Sequence, residues 1–368
     1  MHPDQPFWHA LFPADENAAA AGSVQMRLLK KKGRPLLLLP NDRHAAAATF
    51  ALYPAQTAKA RLIRNGLRRM AGLGFTVGDR VELKLSKSDG FVNYLSGLVQ
   101  ASGDEAPTLG ILAGNPASPC QRFMILVFNQ QLEPVVVVKT GLHPEARELV
   151  VHESKFLGSL PANQAGLPRL RGTFQNNRLD AFATDFFAGD SPNANELGHV
   201  SEMLCAWITP NETTRLQEFA EWQALERSAP MDVRAIPGYE GIRDQVVHRT
   251  LYHGDFAPWN IKVDAAGNWT VLDWERGQAR GIPGWDWFHY FLQHAILVEK
   301  LTDSELLKRA ERILNTSEFQ NYARASQIEG IERGLMLAYL LHVVHVIKPA
   351  EGLEQTDQLW RTMGKQIK

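Results

Sequence analysis

The sequence predicts an α+β protein in which a strand-rich part precedes a helix-rich part. Short apolar and β-branched runs separated by turn residues occupy the first half, and apolar residues at three- and four-residue steps dominate from Asn195 onwards. The chain has 368 residues, of which 45% are hydrophobic and 21% charged, which is typical of one large or two medium globular domains. Composition therefore excludes disordered, collagen-like and fibrous proteins.

The charge of the chain is divided unevenly. Lys and Arg number 39 against 40 Asp and Glu, so the net charge of -1 gives no global indication of nucleic-acid or membrane binding. Residues 1–100 hold 14 basic and 7 acidic residues, a net of +7, and the remainder carries -8. We therefore expect a basic N-terminal extension or small domain at 1–100, then a strand-rich lobe at 105–189 and a helical lobe at 190–368.

Cysteine usage and the N-terminal residues favour a cytoplasmic location. The two cysteines, Cys120 and Cys205, fit neither a disulfide framework nor a clustered zinc site. Residues 1–20 lack a basic segment followed by an apolar one, and no stretch approaches the roughly 18 apolar residues of a membrane span. We expect a soluble protein without a transmembrane segment or a nucleic-acid partner; its oligomeric state is left open.

The first hundred residues predict a small α/β extension. Apolar runs at 24–29 and 36–39 flank a polar turn and predict a strand pair. Residues 55–70 place apolar side chains at helical spacing among four arginines. Such a helix can bind an anionic partner, although arginines more often lie on a solvated helix face.

A small antiparallel sheet is predicted to follow, with five strands around one helix. A loop rich in Gly, Pro, Asn and Ser at 114–121 is of the kind that can lie over phosphates. The predicted strands are 108–113, 123–128, 134–139, 167–173 and 179–187.

Lys139 ends a run of four valines and is expected to need a charged partner. An unpaired ammonium at the end of a buried strand is costly. The helix predicted after Pro144 offers Glu145, Glu148 and Glu153 for this pairing, and at least two of these acids are expected on a solvated face.

The second half is predicted to be mainly helical. The junction at 189–192 contains Gly, Asp, Ser and Pro, which is typical of a hinge, and a cleft between two lobes is a natural ligand site. The predicted helices are 196–208, 211–227, 286–299, 303–314 and 326–347.

The most informative residues flank a predicted β-hairpin. Its turn at 264–268 returns the chain, so Asn260 and Asp273 should meet at the base of the hairpin, and two oxygen ligands there suit Mg²⁺. Asp255 would lie beside them and could accept the proton of a hydroxyl that attacks a phosphoryl group. For His253, a bracing role is favoured over proton transfer.

This pattern, His253-x-Asp255-x-x-x-x-Asn260 followed by Asp273 after a short hairpin, resembles the aminoglycoside phosphotransferase and choline kinase family. The resemblance covers roughly residues 105–350 and implies a bilobal protein-kinase-like fold with a small antiparallel N-lobe and a mainly helical C-lobe. It implies that Asp255 is the catalytic base and that Asn260 and Asp273 bind Mg²⁺.

The resemblance extends to other positions. Residues 281–286 match a Gly-Pro-Asp segment that opens a helix in the family, which implies that Asp286, like His253, supports the catalytic loop. The linker at 183–189 is similar to the segment whose backbone receives the adenine. The implied nucleotide-binding residues are Lys139 with Glu153, Ser118 in the 114–121 loop, and Asp185 and Phe187 in the linker.

The implied activity is transfer of the γ-phosphoryl group of ATP, or another nucleoside triphosphate, to a hydroxyl of a small molecule such as an amino alcohol, an aminoglycoside or a sugar. Two alternatives remain open. The first is a kinase for a macromolecular or lipid-linked saccharide substrate docked by the basic N-terminal region, and the second is a nucleotide-binding regulator without turnover. An aromatic cluster, Trp285, Trp287, Phe288 and Tyr290, could hold the acceptor, although such residues are more often core.

Overall fold

The structure is a computed structural model that describes residues 8–13, 21–55, 57–75, 78–100, 106–114, 120–161, 163–230 and 237–347. The chain divides into two compact units. The first comprises Met1–Ser159 and Pro168–Ala188, and the second comprises Leu160–Leu167 and Gly189–Lys368. One unit is built on a sheet and the other mainly on helices, so the predicted α+β class is confirmed.

The first unit is built on one antiparallel sheet. Within the described residues its strands lie in the spatial order β3-β1-β2-β4-β5-β6-β8-β7. The strands are β1 Ala21–Lys31, β2 Arg34–Pro40, β3 Asp79–Ser86, β4 Leu109–Ala113, β5 Arg122–Phe128, β6 Pro134–Gly141, β7 Leu170–Gln175 and β8 Asp180–Asp185.

Helices cover both faces of this sheet. Neighbouring residues of a strand point to opposite faces, so Ile111 packs with helix α4 on one side and Leu112 packs below helices α2 and α3 on the other. The helices of this unit are α1 Trp8–Leu11, α2 Arg43–Thr49, α3 Ala58–Gly72, α4 Gly90–Leu98 and α5 Pro144–Ser159.

The first hundred residues extend the sheet instead of forming a separate fold. β2 pairs with β4 through Leu37 opposite Leu112 and Leu38 opposite Ile111, which makes the sheet larger than the expected five strands. The physical reason lies in β4, whose five residues are all buried. A strand with no polar face cannot remain at an exposed sheet edge, and β2 covers it.

The second unit is mainly helical, and no helix among the described residues of the chain is both long and apolar enough to cross a membrane. Its helices are α6 Leu197–Ala206, α7 Ala220–Ser228, α8 Pro237–Glu240, α9 Trp285–His294, α10 Asp303–Leu314, α11 Ser317–Ser326 and α12 Glu332–His342. Its strands are β9 Ile208–Arg215, β10 Val246–Tyr252, β11 Ile261–Val263, β12 Trp269–Val271 and β13 Gln278–Gly281.

Two helix predictions in this unit are wrong in part. Residues 208–215 form β9, paired with β10, because Ile208 and three threonines favour a strand over a helix. The predicted helix at 326–347 begins only at Glu332, since Ser326 ends α11 and Gln327 takes a left-handed conformation with φ 61°. α11 itself was not expected from the sequence.

Candidate functional site

The site of the second unit begins where β10 ends. A short loop follows Tyr252, and a single helical turn, Pro258–Asn260, leads into β11. Gly254 has φ 79°, and a Cβ there would lie 2.8 Å from the Cβ of Arg276. Glycine is therefore required for the sharp bend that presents Asp255.

Asp286 holds this loop from the first turn of α9. Its Oδ2 accepts a hydrogen bond from the backbone N–H of His253 at 2.7 Å, and its Oδ1 accepts one from Gly254 at 3.0 Å. Burial raises the pKa of Asp286 to about 7, and the two amide bonds oppose this rise. Both carboxyl oxygens are thus used to fix the loop.

His253 links the loop to the hairpin. Its Nδ1 accepts from the backbone N–H of Asp255 at 3.1 Å, so its Nε2 carries the proton and donates to the carbonyl of Leu272 at 2.9 Å. Burial lowers its pKa to about 4, which keeps the ring neutral. These contacts support the bracing role expected for His253, which stays a prediction.

Asp255 is half-buried, and both of its carboxylate oxygens are positioned. Oδ2 accepts from Nδ2 of Asn260 at 2.8 Å, and Oδ1 lies 2.9 Å from Nε2 of His289. Burial acts to raise the pKa of Asp255, but the hydrogen bond from His289 opposes this rise, and the pKa lies below its ordinary value. An ionised carboxylate has about four acceptor positions, so it can still accept a substrate hydroxyl.

His289 and Tyr339 were not identified from the sequence. His289 lies three residues after Asp286 on α9, and its Nδ1 is 2.9 Å from the hydroxyl of Tyr339 on α12. The helical spacing from Asp286 was a usable signal, because residues three apart share a helix face. Nothing in the sequence connects Tyr339 with Asp255.

Asn260 and Asp273 lie at the base of the hairpin. β11 and β12 pair with Ile261 opposite Val271, and the N–H of Leu272 donates to the carbonyl of Asn260 at 2.7 Å. The adjacent Asp273 has φ 69°, a conformation that is uncommon for a residue other than glycine and concentrates at functional sites. Its charge acts to raise the pKa of Asp255, so the two carboxylates are near neighbours.

The donor set at this position fits a hard cation. Nδ2 of Asn260 donates to both the carbonyl and the Oδ2 of Asp255, each at 2.8 Å, which leaves Oδ1 as the atom that Asn260 can offer to a metal. An amide oxygen and a carboxylate are ligand types that Mg²⁺ prefers.

In the first unit, Lys139 pairs with Glu153. The Nζ of Lys139 lies 2.5 Å from Oε2 of Glu153, and only 7% of the lysine and 2% of the glutamate are exposed. Glu145 and Glu148, the other two candidates, lie on the exposed face of α5. A buried pair of this kind holds an ammonium group in one place.

The structure says less about the other three residues predicted to contact the nucleotide, Ser118, Asp185 and Phe187. Ser118 lies outside the described residues. Asp185 ends β8 and its Oδ1 accepts a hydrogen bond from Arg171, and Phe187, two residues later, is half-buried. The assignment of all three to a nucleotide stays a prediction.

The aromatic cluster of α9 is part of the core. Trp285, Trp287 and Tyr290 are fully buried and Phe288 is 1% exposed. The ring of Trp287, for example, stacks on that of Tyr322 with centroids 5.7 Å apart. None of the four presents a face that an acceptor could reach.

No protein-family model matches the chain, and no curated protein matches its sequence. Choline kinase from Cryptosporidium parvum Iowa II matches in structure at 10% identity and a TM-score of 0.45, over 75% of this chain and 93% of that one. Plasmodium vivax ethanolamine kinase matches at 12% identity and a TM-score of 0.45, over 74% of this chain and 84% of that one. A thermostable mutant of aminoglycoside phosphotransferase APH(4)-Ia, in ternary complex with AMP-PNP and hygromycin B, matches at 13% identity and a TM-score of 0.46. The match covers 76% of this chain and 98% of that one.

Proposed function

We propose that the chain is a phosphotransferase that moves the γ-phosphoryl group of ATP, or another nucleoside triphosphate, to a hydroxyl of a small molecule. One observation carries this proposal. Asp255 is an ionised, half-buried carboxylate whose two oxygens are held by Asn260 and His289, and Asp273 lies beside it. A positioned base next to an oxygen-ligand pair is what phosphoryl transfer to a hydroxyl needs.

The role of Asp255 is to orient the acceptor and take its proton. The hydroxyl donates a hydrogen bond to the carboxylate, and the proton passes to Asp255 as the hydroxyl oxygen bonds to the γ-phosphorus. The bond from that phosphorus to the bridging oxygen breaks, and the nucleoside diphosphate leaves with those electrons. Since this transition state is loose, position and charge neutralisation matter more than the basicity of Asp255.

Asn260 and Asp273 are proposed to hold Mg²⁺. When bound, the metal neutralises charge on the phosphate oxygens. Lys139 is proposed to bind the nucleotide phosphates, with Glu153 fixing its ammonium group. Ser118, Asp185 and Phe187 are proposed to complete the nucleotide contacts, and the support for these three is the sequence resemblance.

The acceptor is proposed to be an amino alcohol, an aminoglycoside or a sugar-like molecule, and the reaction is proposed to take place in the cytoplasm. The sequence resemblance supports this class. One scaffold can serve many substrates, so the acceptor has to be found by experiment.

The test is acceptor-dependent release of ADP from Mg-ATP, measured over a panel of amino alcohols, aminoglycosides and sugars. Asp255→Asn keeps the shape of the side chain and removes its basicity, and we expect a fall in kcat of about 10²- to 10⁴-fold. Glu329→Gln, which changes an exposed carboxylate of the same unit, should turn over like the parent. Parental turnover by a folded Asp255→Asn variant would show that Asp255 is not the base.

Transfer of label from ATP and binding of ATP distinguish the two alternatives. Label from [γ-³²P]ATP that appears in a macromolecular fraction, and not in small molecules, would identify a kinase for large or lipid-linked substrates. ATP that binds but is neither hydrolysed nor transferred across the panel would identify a regulator.

A further inference from the structure

Exposed apolar side chains are concentrated in one short segment of the first unit. Of seven large hydrophobic residues that are exposed among the described residues, five lie between positions 62 and 75, with 46% to 76% of each exposed. Scattered single residues of this kind are normal on a soluble surface, but a contiguous group marks an interaction site. The five are Leu62, Ile63, Met70, Leu73 and Phe75.

The exposed apolar residues of α3 lie away from the face that packs against the sheet. Leu67 and Ala71 face the sheet and pack in the cluster with Leu37 and Phe50. At 100° per residue, Leu62, Met70 and Leu73 lie within about 80° of one another on a different side. They form a stripe along the outer face of the helix, and the exposed Phe75 follows just after its end. This stripe and Phe75 are called the outer apolar stripe below.

The charge on this segment has one sign. α3 contains Lys59 and four arginines, and the chain has no acidic residue between Thr57 and Asp79. Arg61, Arg68 and Arg69 are exposed and lie along one side of the outer apolar stripe. A basic surface along an apolar stripe is the pattern of a helix that lies in a membrane interface.

A cavity opens beside the helix within the same unit. It has a volume of about 350 Å³ and lies between α3 and the ends of β1 and β2. Ile63 and Phe50 contribute apolar lining, and Lys59 and Lys31 add positive charge, the latter donating to the hydroxyl of Tyr53 at 2.8 Å. Its size and lining suit part of an amphiphile with an anionic head.

We propose that α3 and residues 73–75 form a docking surface for an anionic lipid bilayer. An anionic bilayer can contact both the apolar and the basic residues of this surface. The apolar side chains enter the boundary of the acyl chains, and the arginines contact the lipid phosphates. A nucleic acid would engage the arginines and leave Leu62 and Leu73 in water. A second copy of the chain would bring two strongly basic helices together, which their charges oppose.

The test is cosedimentation of the full chain with vesicles in about 0.1 M salt, where surface charges act over roughly 10 Å. We expect binding to vesicles of equal parts phosphatidylcholine and phosphatidylglycerol and little binding to phosphatidylcholine alone. One variant carries Leu62→Ser, Leu73→Ser and Phe75→Ser, and another carries Arg61→Glu, Arg68→Glu and Arg69→Glu. Each should bind about 100-fold or more weakly, since each variant changes three side chains, and every basic residue at an anionic surface and every large apolar side chain at the acyl boundary adds to the affinity.

Two control variants change the same kinds of residue, exposed apolar and exposed basic, outside α3. Val246→Ser with Leu297→Ser removes the other two large exposed apolar residues of the part that the structure describes. Arg227→Glu, Lys308→Glu and Arg312→Glu reverse three exposed charges of the second unit. Both controls should bind like the parent, and circular dichroism and thermal melting should show every variant folded. If a triple variant fails to fold, Leu62→Ser alone replaces the serine variant and Arg61→Glu alone replaces the glutamate variant.

Three results would overturn the proposal. The first is a parent that does not sediment with the anionic vesicles, and the second is a folded serine variant that sediments as well as the parent. The third is tighter binding to an oligonucleotide than to vesicles, which would assign the arginines to nucleic acid. None of these results depends on the proposed phosphotransferase activity, which is measured separately on soluble acceptors.

Discussion

Nε2 of His289 lies 2.9 Å from Oδ1 of Asp255, and Nδ1 of the same ring lies 2.9 Å from the hydroxyl of Tyr339. An ionised carboxylate can only accept, so Nε2 carries the proton. In a neutral ring Nδ1 then accepts, and Tyr339 must donate. The carboxylate therefore selects the tautomer of His289, Tyr339 holds the ring by donating to its Nδ1, and His289 in turn orients the carboxylate that we propose as the base.

Replacing His289 is predicted to shift the pH dependence of the reaction. His289→Ala removes a hydrogen bond that helps to bring the pKa of Asp255 below its ordinary value. The carboxylate then stays protonated to a higher pH, so the acidic limb of the kcat profile should move to higher pH. We also expect kcat to fall by about 10- to 100-fold, as for other residues that orient a functional group.

Two further variants separate this effect from a loss of structure. His289→Gln can still donate to Asp255 and should recover part of the activity, and Tyr339→Phe keeps the ring but frees Nδ1 and should cause a smaller loss. His199→Ala, at an exposed histidine, is the control. A His289→Ala variant with lower kcat but an unmoved acidic limb would contradict the proposed influence on the pKa of Asp255.

His253 is predicted to make the chain less stable in acid. Its pKa is about 4 in the folded chain against an ordinary value of 6.5, so the unfolded chain binds the extra proton between these values. The stability that the neutral ring contributes is present above about pH 6.5 and is lost as the pH falls towards 4, by about 3 kcal/mol at most. Urea unfolding across this range should show a shallower decline for His253→Gln than for the parent, and an equal decline would contradict the prediction.

Contacts of this site between residues close in the sequence could be predicted, and contacts between residues far apart in the sequence could not. Asn260 and Asp273 flank a hairpin whose turn residues are visible in the sequence, so their proximity follows from chain geometry. Lys139 clearly needed a partner, but three glutamates on one helix were candidates, and only the packing of α5 shows that Glu153 is the buried one. Tyr339 reaches His289 from another helix, and no spacing rule connects them.

Glu221 is predicted to limit stability at neutral and alkaline pH. It is 3% exposed, and among the described residues neither of its carboxyl oxygens has a hydrogen-bond partner. Burial raises its pKa from 4.5 to about 7, so the folded chain holds a proton that the unfolded chain has lost. Stability should therefore decline as the pH rises from about 4.5 to 7, by about 3 kcal/mol.

Glu221→Gln is expected to remove this decline, because the amide mimics the protonated acid and does not titrate. The variant should be more stable than the parent at about pH 8 and similar to it at about pH 4, when both are followed by urea unfolding. Glu226→Gln, at a partly exposed carboxylate that pairs with Arg243, is the control. If stability changes equally with pH in Glu221→Gln and in the parent, Glu221 is ionised in the folded chain throughout this range.

The buried pair of Lys139 and Glu153 is predicted to serve nucleotide binding more than stability. Glu153→Gln leaves a buried ammonium without its carboxylate, and breaking such a pair costs about 3–5 kcal/mol. Replacing both residues, by Lys139→Met and Glu153→Leu, removes the buried charges together and should restore most of that stability. In the double variant we nevertheless expect the KM for ATP to rise about 10-fold or more and the KM for the acceptor to stay near the parental value, since only the nucleotide phosphates lose a cation. Unfolding curves and initial rates on the same preparations separate the two effects, and a stable double variant with the parental KM for ATP would assign the pair to structure alone.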